Sequence, residues 1–375
     1  MHTADWQIGK RYGQFDADEA ALLAEARFGA VARIADLAGG EGADLVLVAG
    51  DVFDAQGVSD RTVLRLFQSM EAFRGPWVLI PGNHDAGLTE SVWTRAHRLG
   101  AIPPHVHVCL RAEPLVLEAL AVAILPAPLT QRHTYSDCTA WFDDAATPPG
   151  LSRIGIAHGS VQGILAPEID SANPIAAGRA TSARLDYLAL GDWHGTRQID
   201  PRTWYSGTPE TDRFRNNESG QALVVEIAQP GAPPQVRPVA TGRYRWRTLE
   251  RELRVAGDLD GLAREFEALG SNDVVALAVR GQIDLAGRLA LDRALATARA
   301  RAHSLIADLD ALRLLPTAED LQALHAEGYL GDVIDALRGE EQNEQNGGDA
   351  ERARDGLALL AALLDEIRAS AGAVR

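Results

Sequence analysis

Residues 45–54 read LVLVAGDVFD, a short apolar run rich in valine that stops at a glycine and is followed by two aspartates. The run at 45–49 is too short for a helix and reads as a strand, and Gly50-Asp51-Val52-Phe53-Asp54 is the turn that ends it. The same arrangement recurs along the chain. The run at 77–81 ends in Gly82-Asn83-His84-Asp85, that at 154–157 in His158-Gly159, that at 188–190 in Gly191-Asp192-Trp193-His194, and residues 1–4 lead into Asp5-Trp6-Gln7. Separate strands thus deliver Asp, Asn, His or Gln just past their carboxyl ends, where open α/β sheets place their ligand sites. Glycines beside most of these turns let backbone approach closely. Asp and Asn are common turn formers, which accounts for any one of these sites. It does not account for all of them together.

Working outward, residues 16–240 alternate strand-like runs with helix-like patterns, as in an α/β or α+β layered domain. Helices are expected near 17–38 and 59–73, and strands at 45–49, 77–80, 106–110, 115–125, 154–157, 185–190 and 222–227. The polar, Pro/Gly-rich stretch at 229–234 reads as a turn between two late strands. A first domain over 1–241 is followed by a small α+β module over 242–315. Its pattern is a strand at 246–253, a helix at 259–269, a strand at 274–279, a helix at 285–301 and a strand at 305–309. A helical segment at 316–338, a linker at 339–348 (GEEQNEQNGG) and a last helix within 349–375 complete the chain. On that last helix Leu357, Leu360, Ala361, Leu364 and Ile367 share a face, suited either to folding back or to docking on a partner; the flexible linker favours docking. Residues 1–4 fall short of the ~5–6 residues of a typical strand. A start about two to four residues upstream, or a trimmed natural chain, is therefore expected, and the shortened first strand should hold Asp5 and Gln7 loosely.

The 375 residues, with 46% hydrophobic and 23% charged, exclude a disordered, collagen-like or purely coiled-coil chain. No apolar run reaches the ~18 residues of a membrane span. With Cys109 and Cys138 as the only cysteines and no basic-then-apolar leader, the expectation is a cytoplasmic chain with no membrane contact. The net charge of −16 repels phosphate, so any nucleic-acid contact must come from a local arginine patch or a partner. Lys10 is the only lysine.

Asp5, Gln7, Asp51, Asn83, His158, Asp192 and His194 mix carboxylate, imidazole and amide oxygen without cysteine. That suits Mn²⁺ first, with Fe²⁺ or Mg²⁺ as alternatives, over structural zinc. The set is too large for one ion and about right for two divalent ions bridged by Asp51. At this point the chain resembles the calcineurin-like metallophosphoesterase superfamily, whose pattern is D-x-H, G-D-x-x-D, G-N-H-D/E, a lone His after a strand, and G-H-x-H. The start HTADWQIGK and the later Tyr205-Ser206-Gly207-Thr208-Pro209-Glu210 are most similar to the SbcD-like nuclease subunits of bacterial double-strand-break repair complexes.

The resemblance implies a four-layer α-β-β-α sandwich with a small capping domain. It assigns one ion to Asp5, Gln7, Asp51 and His194 and the other to Asp51, Asn83, His158 and Asp192. It makes His84 the acid or transition-state stabiliser beside the leaving oxygen, positioned by Asp85. Asp54 either orients a metal ligand or is simply a helix-start residue. Gln7 and Asp192 depart from the family's histidines; three carboxylates against two divalent ions leave +1 rather than +2, which favours a monoanionic diester over a dianionic monoester. Arg213 and Arg215 either grip DNA phosphates or are ordinary exposed charge. Trp6 and Trp193 either pack around the site or stack on a base, and His105 and His107 read as a solvated strand face. The implied function is a two-metal phosphodiesterase acting on DNA in repair, as an exonuclease or endonuclease, beside an SMC-like coiled-coil ATPase. A homodimer is a second option for its assembly. Two alternatives stand: a pseudoenzyme subunit of such a complex, and a small-molecule phosphodiesterase.

Overall fold

A computed structural model describes residues 1–163, 172–215, 217–315 and 329–341, together with 352, 353, 355–357, 359, 360 and 363. These form two compact units, Met1–Arg245 and Trp246–Arg375.

The first unit is built on two six-stranded sheets. In one, the strands run in the spatial order Gln235–Ala240, Gln221–Glu226, His2–Thr3, Val46–Ala49, Trp77–Ile80 and Val106–Val108. In the other the order is Arg197–Asp200, Thr203–Tyr205, Tyr187–Gly191, Ser152–His158, Val122–Ala127 and Leu115–Leu117. The central pairings are parallel, with His2 opposite Leu47, Val46 opposite Trp77 and Gly191 opposite His158. All the site-bearing strands of one sheet therefore end on the same edge.

Alternation along the strands sorts the core into layers. Leu45, Leu47 and Ala49 face inward with Val78 and Ile80, against Ile124, Ile156, Tyr187 and Ala189 of the second sheet. Val46 and Val48 face outward, under Val31, Ile34, Phe67 and Trp93 of the covering helices Ala17–Gly40, Asp60–Ser69 and Val92–Arg98. On the far side Phe142 and Ala180 lie over Ala157, Leu188 and Tyr205. The result is the expected α-β-β-α sandwich, and the continuous apolar runs follow from strands buried on both faces.

The single strand expected at 115–125 is two. A 3-10 turn at Glu118–Leu120 and a left-handed Ala121 (φ 53°) fold it into an antiparallel hairpin, Leu115 opposite Ile124. Both arms are apolar, so composition alone could not place the bend. His105 and His107 are half-buried rather than a solvated face. The first strand, His2–Thr3, is short, yet Asp5 and Gln7 stay tied to the neighbouring turn through Asp5 N–H to Gly50 O (3.0 Å) and Gln7 N–H to Asp51 O (2.8 Å).

The second unit has a sheet of Arg245–Leu253, Asp273–Ile283, Ser304–Asp308 and Leu312–Leu314, and the helices Ala256–Glu267 and Leu285–Arg301. Leu249, Leu262, Phe266, Val275, Leu277, Leu291 and Leu295 form its core. A further helix, Tyr329–Glu341, runs through the end of the expected helical segment and the start of the expected linker. Leu357, which heads the expected docking stripe, is 3% exposed, and Gly356 lies against Leu337. Leu360 of the same stripe is half-buried, and Ala361, Leu364 and Ile367 lie outside the described residues. Among the described residues no helix is long and apolar enough to cross a membrane.

Candidate metal centre

Four of the residues at the strand ends adopt the left-handed backbone that side-chain-bearing residues rarely take: Asp5 (φ 54°), Gln7 (φ 42°), Asp51 (φ 52°) and Asp192 (φ 100°). Such strain persists where the surroundings hold it, and it lies at the turns from which Asp5, Asp51 and Asp192 approach His158. Two glycines leave room for that convergence. A Cβ at Gly82 would lie 2.2 Å from Asp51 Oδ1, and one at Gly50, whose φ is +87°, would lie 2.4 Å from His158 Nδ1.

Asp5, Asp51 and His158 are buried and bring their ligand atoms within 4.8 Å of one another. His158 Nδ1 is 2.9 Å from Ala49 O, and because a carbonyl only accepts, Nδ1 carries a hydrogen and Nε2 is the nitrogen that can ligate an ion once deprotonated. Nε2 lies 3.5 Å from Asp51 Oδ1 and 3.6 Å from Asp192 Oδ1. It has no hydrogen-bond partner, nor does the buried Oδ1 of Asn83. Unpartnered buried ligand atoms beside converging carboxylates fit a bound divalent cation.

The electrostatics express the same demand. Burial and the neighbouring carboxylates push Asp5 up to about 6, while burial also raises Asp192. Burial alone would lower His158, but Asp51, Asp5 and Asp192 outweigh it and raise the imidazole to about 9.

His84 sits at the rim, with 32% of its side chain exposed and Nε2 4.0 Å from Asp51 Oδ2. Its Nδ1 donates to the main-chain oxygen of Asp54 at 2.7 Å. Asp85 was expected to hold this ring and does not. Its buried carboxylate accepts from Gly82 N (2.7 Å), Val52 N (2.9 Å) and Phe53 N (3.1 Å), clamping the two turns that carry Asp51 and Asn83. Burial first, then the Asp51 charge, raise it to about 7. The ring is thus placed by the backbone of Asp54, and the turn by the side chain of Asp85.

The Gln7 and His194 half departs further. Gln7 Oε1 does not point into the centre but accepts from Lys10 Nζ at 2.9 Å, and its Nε2 lies 3.2 Å from His194 Nε2. Behind them is a group that sequence reasoning missed, centred on the buried Asp212. Its Oδ2 lies 2.7 Å from Lys10 Nζ, 3.2 Å from Arg27 Nη2 and 3.1 Å from His194 Nδ1, and its Oδ1 accepts from Arg213 Nε at 3.0 Å. Burial would raise this carboxyl, but His194, Arg27 and Lys10 hold it well below the usual carboxylate range. Arg27 was detectable: it falls at helical spacing among the buried Leu23, Val31 and Ile34, a place where a charge needs a partner.

Arg213 therefore meets Asp212 and, through Nη2, His194 Nδ1 at 2.7 Å, while remaining exposed. Arg215 and Arg197 lie over the half-buried Trp193 ring, at 5.6 Å and 5.8 Å. Trp6 is core: it is 1% exposed, donates to Thr3 and packs edge-on against Trp77.

These features define a metal-dependent phosphoesterase. The chain belongs to the calcineurin-like phosphoesterase family, whose sequence pattern matches residues 1–225. Among solved structures it is similar to TT1561 of Thermus thermophilus, at 12% identity over 58% of this chain and 94% of that one, with a TM-score of 0.38. No curated protein matches the sequence.

Proposed function

We infer that the protein hydrolyses phosphodiesters in DNA, as the nuclease subunit of an SbcD-like repair complex beside an SMC-like ATPase. The observation that carries the hydrolytic reading is the cluster of Asp51, His158 and Asp192 with the unpartnered ligand atoms of His158 and Asn83. Asp51, His158, Asp192 and Asn83 would hold a divalent ion, Mn²⁺ by their mixed oxygen and nitrogen donors, which would supply Lewis acidity and acidify water. The chain supplies the rest. His84, its Nδ1 tied to the Asp54 carbonyl, keeps Nε2 free to hold or give a proton at the leaving oxygen. Asp85 keeps the two ligand turns in register.

DNA as the substrate is supported by the rim. Arg213 and Arg215 are exposed there, and Arg215 and Arg197 flank Trp193, whose neighbours in sequence are Asp192 and His194. Arginine beside an aromatic suits backbone phosphate and an unstacked base. The appended α+β unit gives a further surface for a macromolecule.

The test incubates purified protein with single-stranded DNA, double-stranded DNA and bis-nitrophenyl phosphate under Mn²⁺, Mg²⁺ or no metal. Cleavage of DNA that requires the metal is expected. Hydrolysis of the small diester alone would support a small-molecule phosphodiesterase, and no turnover of any would support the pseudoenzyme alternative.

A further inference from the structure

In one half of the centre Asn83 Oδ1 and His158 Nε2 have no hydrogen-bond partner, whereas in the other the donor atoms of Gln7 and His194 are taken. Lys10 sets the direction of the Gln7 amide, because exchanging its oxygen and nitrogen would place the NH₂ against the ammonium. That leaves Gln7 Nε2 in front of His194 Nε2, the nitrogen an ion in this half would need. The other ring nitrogen already lies against Asp212 and Arg213. A second divalent ion would have to displace this arrangement and sit beside Lys10, Arg27 and Arg213, three positive charges gathered on one carboxylate.

We propose that the protein binds one divalent ion, among Asp5, Asp51, Asn83, His158 and Asp192, and that the Lys10 ammonium, held by Gln7 and Asp212, stands in for the second. Lys10 keeps 21% of its side chain exposed, while its Nζ contacts Gln7 Oε1 and Asp212 Oδ2. The role of Lys10 toward phosphate rests on the hydrolytic reading above; the ion count does not.

The experiment strips the full-length protein with chelator and titrates it with Mn²⁺, reading free ion by electron paramagnetic resonance and stoichiometry by calorimetry. Wild type should bind one ion per chain and show no exchange-coupled dimanganese signal. Lys10→Met, which removes the ammonium but keeps the stem, should admit a second ion, and Gln7→His with Lys10→Met should bind two ions with the coupled signal. A wild-type chain that binds two ions with affinities within about tenfold of each other overturns the proposal, as does a folded Lys10→Met protein that still binds one. If the variants fail to fold, the wild-type count decides by itself. One bound ion without DNA or diester hydrolysis would sink the functional reading and leave this inference standing; hydrolysis with two ions would do the reverse.

Discussion

The two halves of the metal centre hang from the same sheet edges and share Asp51, yet their chemistry has diverged. The Asn83, His158 and Asp192 half presents two unpartnered atoms, His158 Nε2 and Asn83 Oδ1, beside the carboxylates of Asp5 and Asp192, which burial makes less acidic. The Gln7 and His194 half has its donors tied to Lys10, Asp212 and Arg213. A ligand-type residue at a strand end is thus only half of a metal site. What the structure sets behind it decides whether the donor is left free for an ion or tied to the protein.

Breaking the open half should have the largest effect. Asp51→Asn should lower diester hydrolysis at least about 10³-fold and reduce bound metal. His84→Ala should cost about 10²–10³-fold while metal content stays at the wild-type level. Metal analysis beside rate measurement separates the two; an active Asp51→Asn protein with full metal content would overturn the assignment of Asp51.

On the closed side the largest expected effect is on stability. Asp212→Asn removes the carboxylate that pairs with the buried Arg27 and leaves it the more weakly acting Glu210, at a cost of about 3 kcal/mol, or roughly 6–12 °C in Tm. Differential scanning calorimetry would show it, and a shift under 2 °C would mean that Tyr12, Trp6 and Thr208 suffice to hold the guanidinium.

The pH dependence of metal binding sharpens the contrast. Between about 6 and 9 the metal-free His158 carries a proton that the ion must displace, so affinity should rise about tenfold per pH unit across that window. Below about 6 the protonation of Asp5 should make the fall steeper, and above about 9 the curve should level. Calorimetry in buffers of different ionisation enthalpy should count about one proton released per ion at pH 7.5. A flat profile would show that His158 is not a ligand.

The smallest effect concerns the rim. Trp193→Ala should weaken single-stranded DNA binding by about 1–2 kcal/mol without changing hydrolysis of the small diester. Equal losses on both substrates would show that Trp193 only packs beside Asp192 and His194.

How much of this was legible depends on how local the cause is. The strand at 77–80 and the helix at 285–301 match the structure residue for residue, because a short apolar run between turn signals and a 3.6-residue repeat are written in neighbouring positions. The hairpin at 115–125 was not legible, since both arms are apolar and the bend rests on the backbone of a single alanine.

By itself, the sequence determined the layered α/β fold, the strand ends that carry Asp5, Asp51, Asn83, His158, Asp192 and His194, and the family to which the chain belongs. Only the tertiary structure decided what each of these side chains faces. It turned Asp85 onto the backbone of Val52 and Phe53, gave His84 the Asp54 carbonyl, sank Trp6 into the core and bound Gln7 to Lys10. The reason is one of range. A strand or turn is set by interactions among adjacent residues, whereas the direction of a buried amide or carboxylate is set by whichever charge the fold brings to it, as Lys10 meets Asp212 across 202 positions of sequence.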